Sequence, residues 1–181
     1  REESNKQLDK TERPYAISGT DDYCPGYIGD YKDGKYHGQG RLIKDDKTGD
    51  FDDYSGEFFN GKYHGQGSLE RYCGTKYHGE FKNGLYDGQG VQTFGDYREY
   101  DYHYEYRVLD KLIYDPINSS AYFFGYIYVG EFKNGEYHGQ GILTYSSEIK
   151  YSGDFKLGSL YSGSLTYFDD VIYFEKGLVV K

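Results

Sequence analysis

The chain has 181 residues, including 26 glycines and 25 tyrosines but no tryptophan and no methionine. Aromatic residues make up 20% of it, which excludes a disordered chain, and a hydrophobic share of only 36% that includes tyrosine argues against a closed aliphatic core. The net charge of −9, with lysine and arginine scattered, does not suit a nucleic-acid partner and disfavours docking to anionic lipid.

Residues 1–22 are polar and charged, and we interpret them as an N-terminal linker or cap. They do not resemble a signal peptide, and no apolar run approaches the roughly 20 residues that span a bilayer. Cys24 and Cys73 lack metal-ligand spacing. We interpret them as free thiols in a reducing compartment, with a bridge between them as the open alternative.

Residues 23–168 are predicted to form a repeat array, because one sequence segment recurs almost unchanged. Residues 54–67 return as 77–90 and 128–141, with a close variant at 27–40. Self-similarity at a near-constant interval indicates a repeat architecture. The six units open at Tyr27, Tyr54, Tyr77, Tyr102, Tyr128 and Tyr151, of which the one at Tyr102 is degenerate.

Each unit is predicted to be one β-hairpin. In the third unit Tyr77, Gly79 and Phe81 alternate with polar residues, which is a strand pattern. An Asn-Gly or Asp-Gly pair follows in four units, and this pair is the strongest short-range signal of a hairpin turn. After the next Gly-x-Gly we expect a short second strand, at 41–44, 68–72, 91–94 and 142–145. The predicted fold is all-β, an elongated single-layer antiparallel array of about six hairpins.

Several positions recur in register with the opening tyrosines. We expect the glycines two residues after them to leave room for rings of adjacent strands, at Gly29, Gly56, Gly79, Gly130 and Gly153. Acids recur on the other face at Asp30, Glu57, Glu80, Glu105, Glu131 and Asp154. We interpret these acids as part of a solvated surface.

The repeated histidines do not indicate a metal site. His37, His64 and His138 are equivalent in their units, so they lie at least about 10 Å apart and cannot converge on one ion. Gly-Gln-Gly lacks the third glycine and the helix of a phosphate loop, and no nucleophile has a partner at a suitable spacing. We therefore predict no catalytic residue, metal or cofactor.

The degenerate region, residues 96–128, is the best candidate for recognition of a partner. Alternation would place a row of phenols on one face of a strand, and tyrosine is enriched in interface hot spots. The alternative is that these rings fill space left by the missing glycines. The candidate residues are Tyr100, Tyr102, Tyr104, Tyr106, Tyr122, Phe124 and Tyr126.

Residues 169–181 are predicted to form a C-terminal capping hairpin from two apolar runs. An uncovered sheet edge invites pairing with another chain, so a homodimer through this end is consistent with the sequence.

The repeated pattern Tyr-x-Gly-Glu-Phe-x-Asn-Gly-x-x-x-Gly-x-Gly-x-Leu resembles the MORN repeat, the membrane occupation and recognition nexus. The resemblance covers about residues 27–167, and four copies keep every glycine of the motif. It implies a twisted, somewhat curved antiparallel array that serves as a scaffold or targeting module. Two units depart from the pattern: Tyr104, Leu109, Ile113 and Asp115 replace glycines in one, and Ser162 and Ser164 flank Gly163 in the other.

We therefore expect a non-catalytic, cytoplasmic scaffold that binds a protein partner through aromatic surface, in a cilium, an axoneme or the cortical cytoskeleton. Two alternatives remain open: a module that associates with phospholipid membranes, and the targeting or regulatory segment of a larger enzyme.

Overall fold

The structure is a computed structural model that describes residues 26–45, 51–95, 125–145 and 149–180. These residues form a single antiparallel sheet of twelve strands, which lie in chain order, each beside the strand before it. The sheet is open, and none of the residues in the described ranges is helical, so none forms a helix able to cross a membrane. The strands are β1 (Gly26–Lys32), β2 (Lys35–Asp45), β3 (Phe51–Phe59), β4 (Lys62–Glu70), β5 (Lys76–Lys82), β6 (Leu85–Gly95), β7 (Gly125–Lys133), β8 (Glu136–Thr144), β9 (Ile149–Lys156), β10 (Ser159–Tyr167), β11 (Asp170–Glu175) and β12 (Leu178–Val180).

The hairpin turns confirm the prediction from the Asn-Gly pairs. Asn60 and Gly61, for example, have φ values of 50° and 79°, and both central residues of a type I′ turn need positive φ. The same conformation occurs at Asp33-Gly34, Asn83-Gly84 and Asn134-Gly135.

The predicted start of the second strands is wrong. β2 begins at Lys35 and β4 at Lys62, directly after the turn, and not beyond the Gly-x-Gly. The extra residues are absorbed by a β-bulge, with a register shift between Gly56 and Glu57 against β4. Gly65 lies in this bulge with φ 54°, a conformation that glycine adopts without a steric penalty.

The sixth hairpin of the sheet corresponds to the predicted C-terminal cap. Five hairpins correspond to units at Tyr27, Tyr54, Tyr77, Tyr128 and Tyr151, and the sixth is β11–β12, within the range predicted for the C-terminal cap. The predicted unit at Tyr102 lies outside the described residues. β6 pairs directly with β7, so no further hairpin stands between them in the sheet. Gly90 pairs with Gly130 as Gly67 pairs with Gly79, so the array continues in unchanged register.

Successive hairpins are also joined through their turns. The Gly61 N–H donates to the carbonyl oxygen of Tyr36 in the preceding hairpin at 2.8 Å, and Gly84 N–H donates to that of Tyr63 at 2.9 Å. We call these contacts the turn bonds. The other three join Gly135 to Tyr86, Gly158 to Tyr137 and Gly177 to Tyr161. Each turn after the first is thereby tied to its predecessor.

One face of the sheet carries the core, which is built from rings. Tyr54 is fully buried, stacks on Tyr63 with ring centroids 3.8 Å apart, and meets Phe81 of the next hairpin edge-on at 5.1 Å. Across the long 96–124 connection the arrangement is the same, with Tyr77 meeting Phe132 at 5.0 Å. The edge-on contacts between hairpins have a favoured aromatic geometry. Stability therefore comes from packing between neighbouring hairpins, as in other repeat proteins.

The glycines make room for the tyrosine of their own repeat. A Cβ on Gly56 would lie 2.7 Å from the Tyr54 hydroxyl oxygen, and one on Gly67 would lie 2.5 Å from it. The Tyr54 ring thus covers the glycine pair of its own hairpin, whereas the sequence suggested rings from adjacent strands. Gly29, Gly79 and Gly130 lie in the same way beneath Tyr27, Tyr77 and Tyr128, while Gly153 faces the backbone of Gly163.

Candidate interaction face

The opposite side of the sheet, which we call the polar face, carries a row of residues that are register partners on successive strands. The row runs perpendicular to the strands, and its members are separated by one strand spacing, about 4.8 Å. From β2 to β10 it consists of Arg41, Ser55, Ser68, His78, Val91, Val129, Ile142, Ser152 and Ser164.

The polar half of this row lines a shallow depression of about 570 Å³. Arg41 makes a two-pronged ion pair with Asp53, with Nε–Oδ1 at 3.0 Å and Nη2–Oδ2 at 2.7 Å. Lys76 and Glu70 form a second pair at 2.9 Å, and these side chains are 61% and 52% exposed. An exposed ion pair such as Lys76–Glu70 contributes little to stability, so its charges set the character of the surface more than they hold the fold.

Ser68 and His78 lie at the centre of the depression, with Oγ 2.7 Å from Nδ1. A catalytic serine needs a base that a third group orients, together with donors for an oxyanion. Among the described residues no carboxylate is hydrogen-bonded to His78, and no group of three His, Cys, Asp or Glu is placed to hold a metal ion. The pair is an exposed hydrogen bond between neighbouring strands.

The row continues from the depression into three exposed aliphatic residues, which we call the aliphatic strip. Val91, Val129 and Ile142 are direct register partners on β6, β7 and β8, and they are 37%, 48% and 36% exposed. Directly opposed side chains on a sheet lie about 5 Å apart, so the three form one continuous surface. Contiguous exposed apolar surface is typical of interaction sites.

The tyrosine rings of the core face pack against one another. Burial raises the pKa of Tyr54, Tyr77 and Tyr128, whose hydroxyls donate to carbonyl oxygens of their own repeats. Burial and then Asp52 raise the pKa of Tyr63 to about 12. Tyr54, Tyr77 and Tyr128 are therefore structural residues with no surface to offer a partner.

The repeated acids have a role that sequence analysis missed. The Glu57 carboxylate accepts the Gln66 N–H at 3.2 Å, and Glu80 accepts that of Gln89 at 3.0 Å. Asp30 and Glu131 make the same contact with Gln39 and Gln140. Each acid thus satisfies a backbone donor left open by the bulge. The signal was present in the sequence, because an acid precedes the glutamine of Gly-Gln-Gly by nine residues in each of these units.

The repeated histidines lie in separate units along the sheet. His37 and His64 lie on either side of Phe59, with ring centroids 5.2 and 5.4 Å from it. In the third unit Asp87 takes the equivalent position and accepts the N–H of Asn134 in the next turn at 3.3 Å.

Most of the predicted recognition residues lie outside the described residues: Tyr100, Tyr102, Tyr104, Tyr106, Tyr122 and Phe124. Tyr126 is half-buried on the core face, with its ring 5.6 Å from that of Phe94 and 6.1 Å from that of Tyr145.

Of the two cysteines, Cys24 lies outside the described residues. Cys73 is an exposed free thiol whose sulfur lies 3.2 Å from the Thr75 hydroxyl.

Comparison with known proteins identifies the repeat. The family model of the MORN repeat matches residues 27–48, 54–72, 77–97 and 128–148, which are four of the hairpin units described above. No curated protein matches the chain. MORN repeats are found in scaffold proteins and in membrane-associating proteins, and the repeat itself is a non-enzymatic module. With four matched repeats in one open sheet of hairpins, this chain is a MORN repeat protein.

Proposed function

We propose that this chain is a non-catalytic scaffold that binds a protein partner on its polar face, centred on the aliphatic strip. The observation that carries the proposal is the position of Val91, Val129 and Ile142, which are exposed, adjacent and directly opposed on three strands. These three residues are not part of the hydrophobic core, which lies on the other face of the sheet. A partner that covers the strip would bury apolar surface, which is the main favourable contribution to association.

The neighbouring depression supports the same assignment. It joins the strip at Val91 and carries hydrogen-bonding groups of both charges, including Arg41 and Glu70. An apolar centre with a polar border is the usual composition of a protein interface. A small molecule is a poorer fit, because ligand sites are deep and bury most of the ligand.

The test uses a triple variant in which Val91, Val129 and Ile142 are each changed to threonine. Threonine keeps the branched shape and strand propensity of these exposed positions, so the array should stay folded. Ile28→Thr is the matched control, since Ile28 is 79% exposed on the same face but lies at the far edge of the row. Proteins cross-linked to the native chain in its source cells should be lost with the triple variant and kept with the control.

Retention of the same partners by the triple variant would move the binding site away from the strip. The tyrosines predicted from the sequence are tested in a parallel arm, in which Tyr100, Tyr102 and Tyr106 are changed to alanine. Loss of the partner in that arm alone would assign recognition to the 96–124 connection. Loss in both arms would assign it to a combined surface.

For its location, we propose the cytoplasm, with attachment to a cilium, an axoneme or the cortical cytoskeleton. The occurrence of the repeat in scaffold proteins supports this assignment. Imaging of the tagged chain, followed by extraction with detergent, is the direct test. A chain that detergent releases completely would contradict attachment to the cytoskeleton.

Membrane association is the second candidate function, because MORN repeats are also found in membrane-associating proteins. The net charge of −9 works against it, since attraction to anionic lipid depends on basic clusters. Flotation with phosphatidylserine vesicles at low salt separates the two functions. Binding there by the native chain and by the triple threonine variant alike would favour the membrane.

A further inference from the structure

The turns of the array are chemically reactive sequences. In Asn-Gly and Asp-Gly pairs, the glycine nitrogen can attack the preceding side chain and close a succinimide ring, because glycine offers no side chain that hinders the attack. Asn60-Gly61, Asn83-Gly84 and Asn134-Gly135 are such pairs, and Asp33-Gly34 is the corresponding pair of the first hairpin. All four are exposed turns with the same backbone conformation.

The turn bonds distinguish the first of these turns from the other three. The attacking nitrogen must lose its proton and leave any hydrogen bond before it can react. The N–H groups of Gly61, Gly84 and Gly135 are held by carbonyl oxygens of the preceding hairpin at 2.8, 2.9 and 2.8 Å. Gly34 belongs to the first hairpin and makes no such bond within the described part of the chain.

Packing around the turns does not separate them in the same way. A Cβ placed on Gly61 would lie 4.0 Å from Lys35 of the preceding hairpin, and one on Gly135 would lie 3.9 Å from Leu85. Within the described part of the chain, one on Gly34 would meet nothing within 4 Å, and the same holds for Gly84. The turn bonds, and not the packing, therefore distinguish the first turn from the other three among the described residues.

We propose that Asp33 is a site of spontaneous isoaspartate formation, and that the turn bonds protect the three Asn-Gly turns from the equivalent reaction. The Gly34 nitrogen forms a bond to Cγ of Asp33, a Cγ–oxygen bond breaks, and one water leaves with the former amide proton. Water then adds to the main-chain carbonyl of the ring and breaks its bond to nitrogen. The product runs its main chain through Cβ and Cγ, which adds one carbon to a tight two-residue turn.

The Asp33→Asn variant provides an internal comparison, because it places the same dipeptide in all four turns. Asparagine already occupies this position in three hairpins, so the variant is compatible with the fold. The folded variant is incubated at neutral pH and digested, and deamidation at each site is followed by the gain in mass. Because one net hydrogen bond corresponds to a factor of about 2 to 12, position 33 should react about 2 to 12 times faster than Asn60, Asn83 and Asn134.

The same measurement in denaturant removes the turn bonds, and the four rates should then converge. In the natural chain, isoaspartate at position 33 is detected by fragmentation that distinguishes the two backbones, and by labelling with isoaspartyl methyltransferase. Equal rates at all four turns in the folded variant would overturn protection by the turn bonds. Absence of isoaspartate at position 33 from the aged natural chain would overturn the site. Neither result depends on the proposed scaffold function.

Discussion

Gly67→Ala tests whether the glycine pairs exist to accommodate the tyrosine rings. The added Cβ would lie 2.5 Å from the hydroxyl oxygen of Tyr54 and 2.7 Å from two of its ring carbons. The ring cannot turn away easily, because it is fully buried and stacked on Tyr63 at 3.8 Å. Its hydroxyl also donates to the carbonyl oxygen of Glu57 at 2.8 Å.

The expected loss follows from three contributions. Overpacking of a core costs about 1–3 kcal/mol, and displacement of the ring loses a hydrogen bond worth about 1 kcal/mol. Alanine in a strand gains about 0.5–1 kcal/mol over glycine through the unfolded chain. We therefore expect Gly67→Ala to lower the free energy of unfolding by about 1–3.5 kcal/mol.

Urea unfolding followed by tyrosine fluorescence and far-UV circular dichroism measures this change, and the absence of tryptophan leaves the tyrosine signal unobscured. Ser55→Ala is the matched control, because Ser55 is exposed on the polar face and its truncation should change stability by less than about 0.5 kcal/mol. If Gly67→Ala is as harmless as the control, the ring does not require the glycine and our account of the core is wrong.

Three further predictions concern the bulge, the tyrosines and the long connection. Glu57→Ala removes the acceptor for the Gln66 N–H and should cost about 0.5–1.5 kcal/mol in urea unfolding, whereas an unchanged midpoint would show that solvent replaces it. Because burial raises the pKa of Tyr63 from 10.0 to about 12, the folded state retains the proton longer, and stability present below pH 10 should be lost as the pH rises towards 12. The difference in tyrosinate absorbance between the natural chain and its Tyr63→Phe variant should then rise together with loss of the circular dichroism signal, because exposed tyrosines such as Tyr72 contribute equally to both; a rise of this difference in the still-folded protein would contradict the prediction. Residues 71–75 connect β4 to β5, and the same sequence can replace residues 96–124 between β6 and β7. This replacement should leave the circular dichroism spectrum and the urea unfolding midpoint of the array unchanged, because Gly95 and Gly125 are paired neighbours. Loss of cooperative unfolding would show that the connection supports the sheet.

The local parts of the fold could be predicted from the sequence, because their causes are local. An Asn-Gly pair forces its own turn, and the alternation of Tyr77, Gly79 and Phe81 assigns their face. The start of β2 at Lys35 could not be predicted, since the bulge interrupts the alternation of the strand. The resemblance to MORN repeats was correct over the four matched units.

The candidate site depends on register between distant strands, which no single strand reveals. Val91 and Val129 are far apart in the chain and become neighbours only because β6 pairs with β7. Their exposure could not be predicted from the sequence either, because an apolar residue at such a strand position can face the core or the solvent. The tyrosines around Tyr102 stood out because they break the repeat, and their role stays a prediction.

The turn bonds give the array a direction. Each hairpin between the first and the last donates from its turn glycine to the hairpin before it and offers a tyrosine carbonyl oxygen to the one after it, as Gly84 and Tyr63 illustrate. A hairpin inserted between two others therefore brings one donor and one acceptor, and it restores the bond that its insertion interrupts. Such an array can be lengthened or shortened by whole hairpins without compensating changes elsewhere, so its reach is adjustable independently of its stability per repeat.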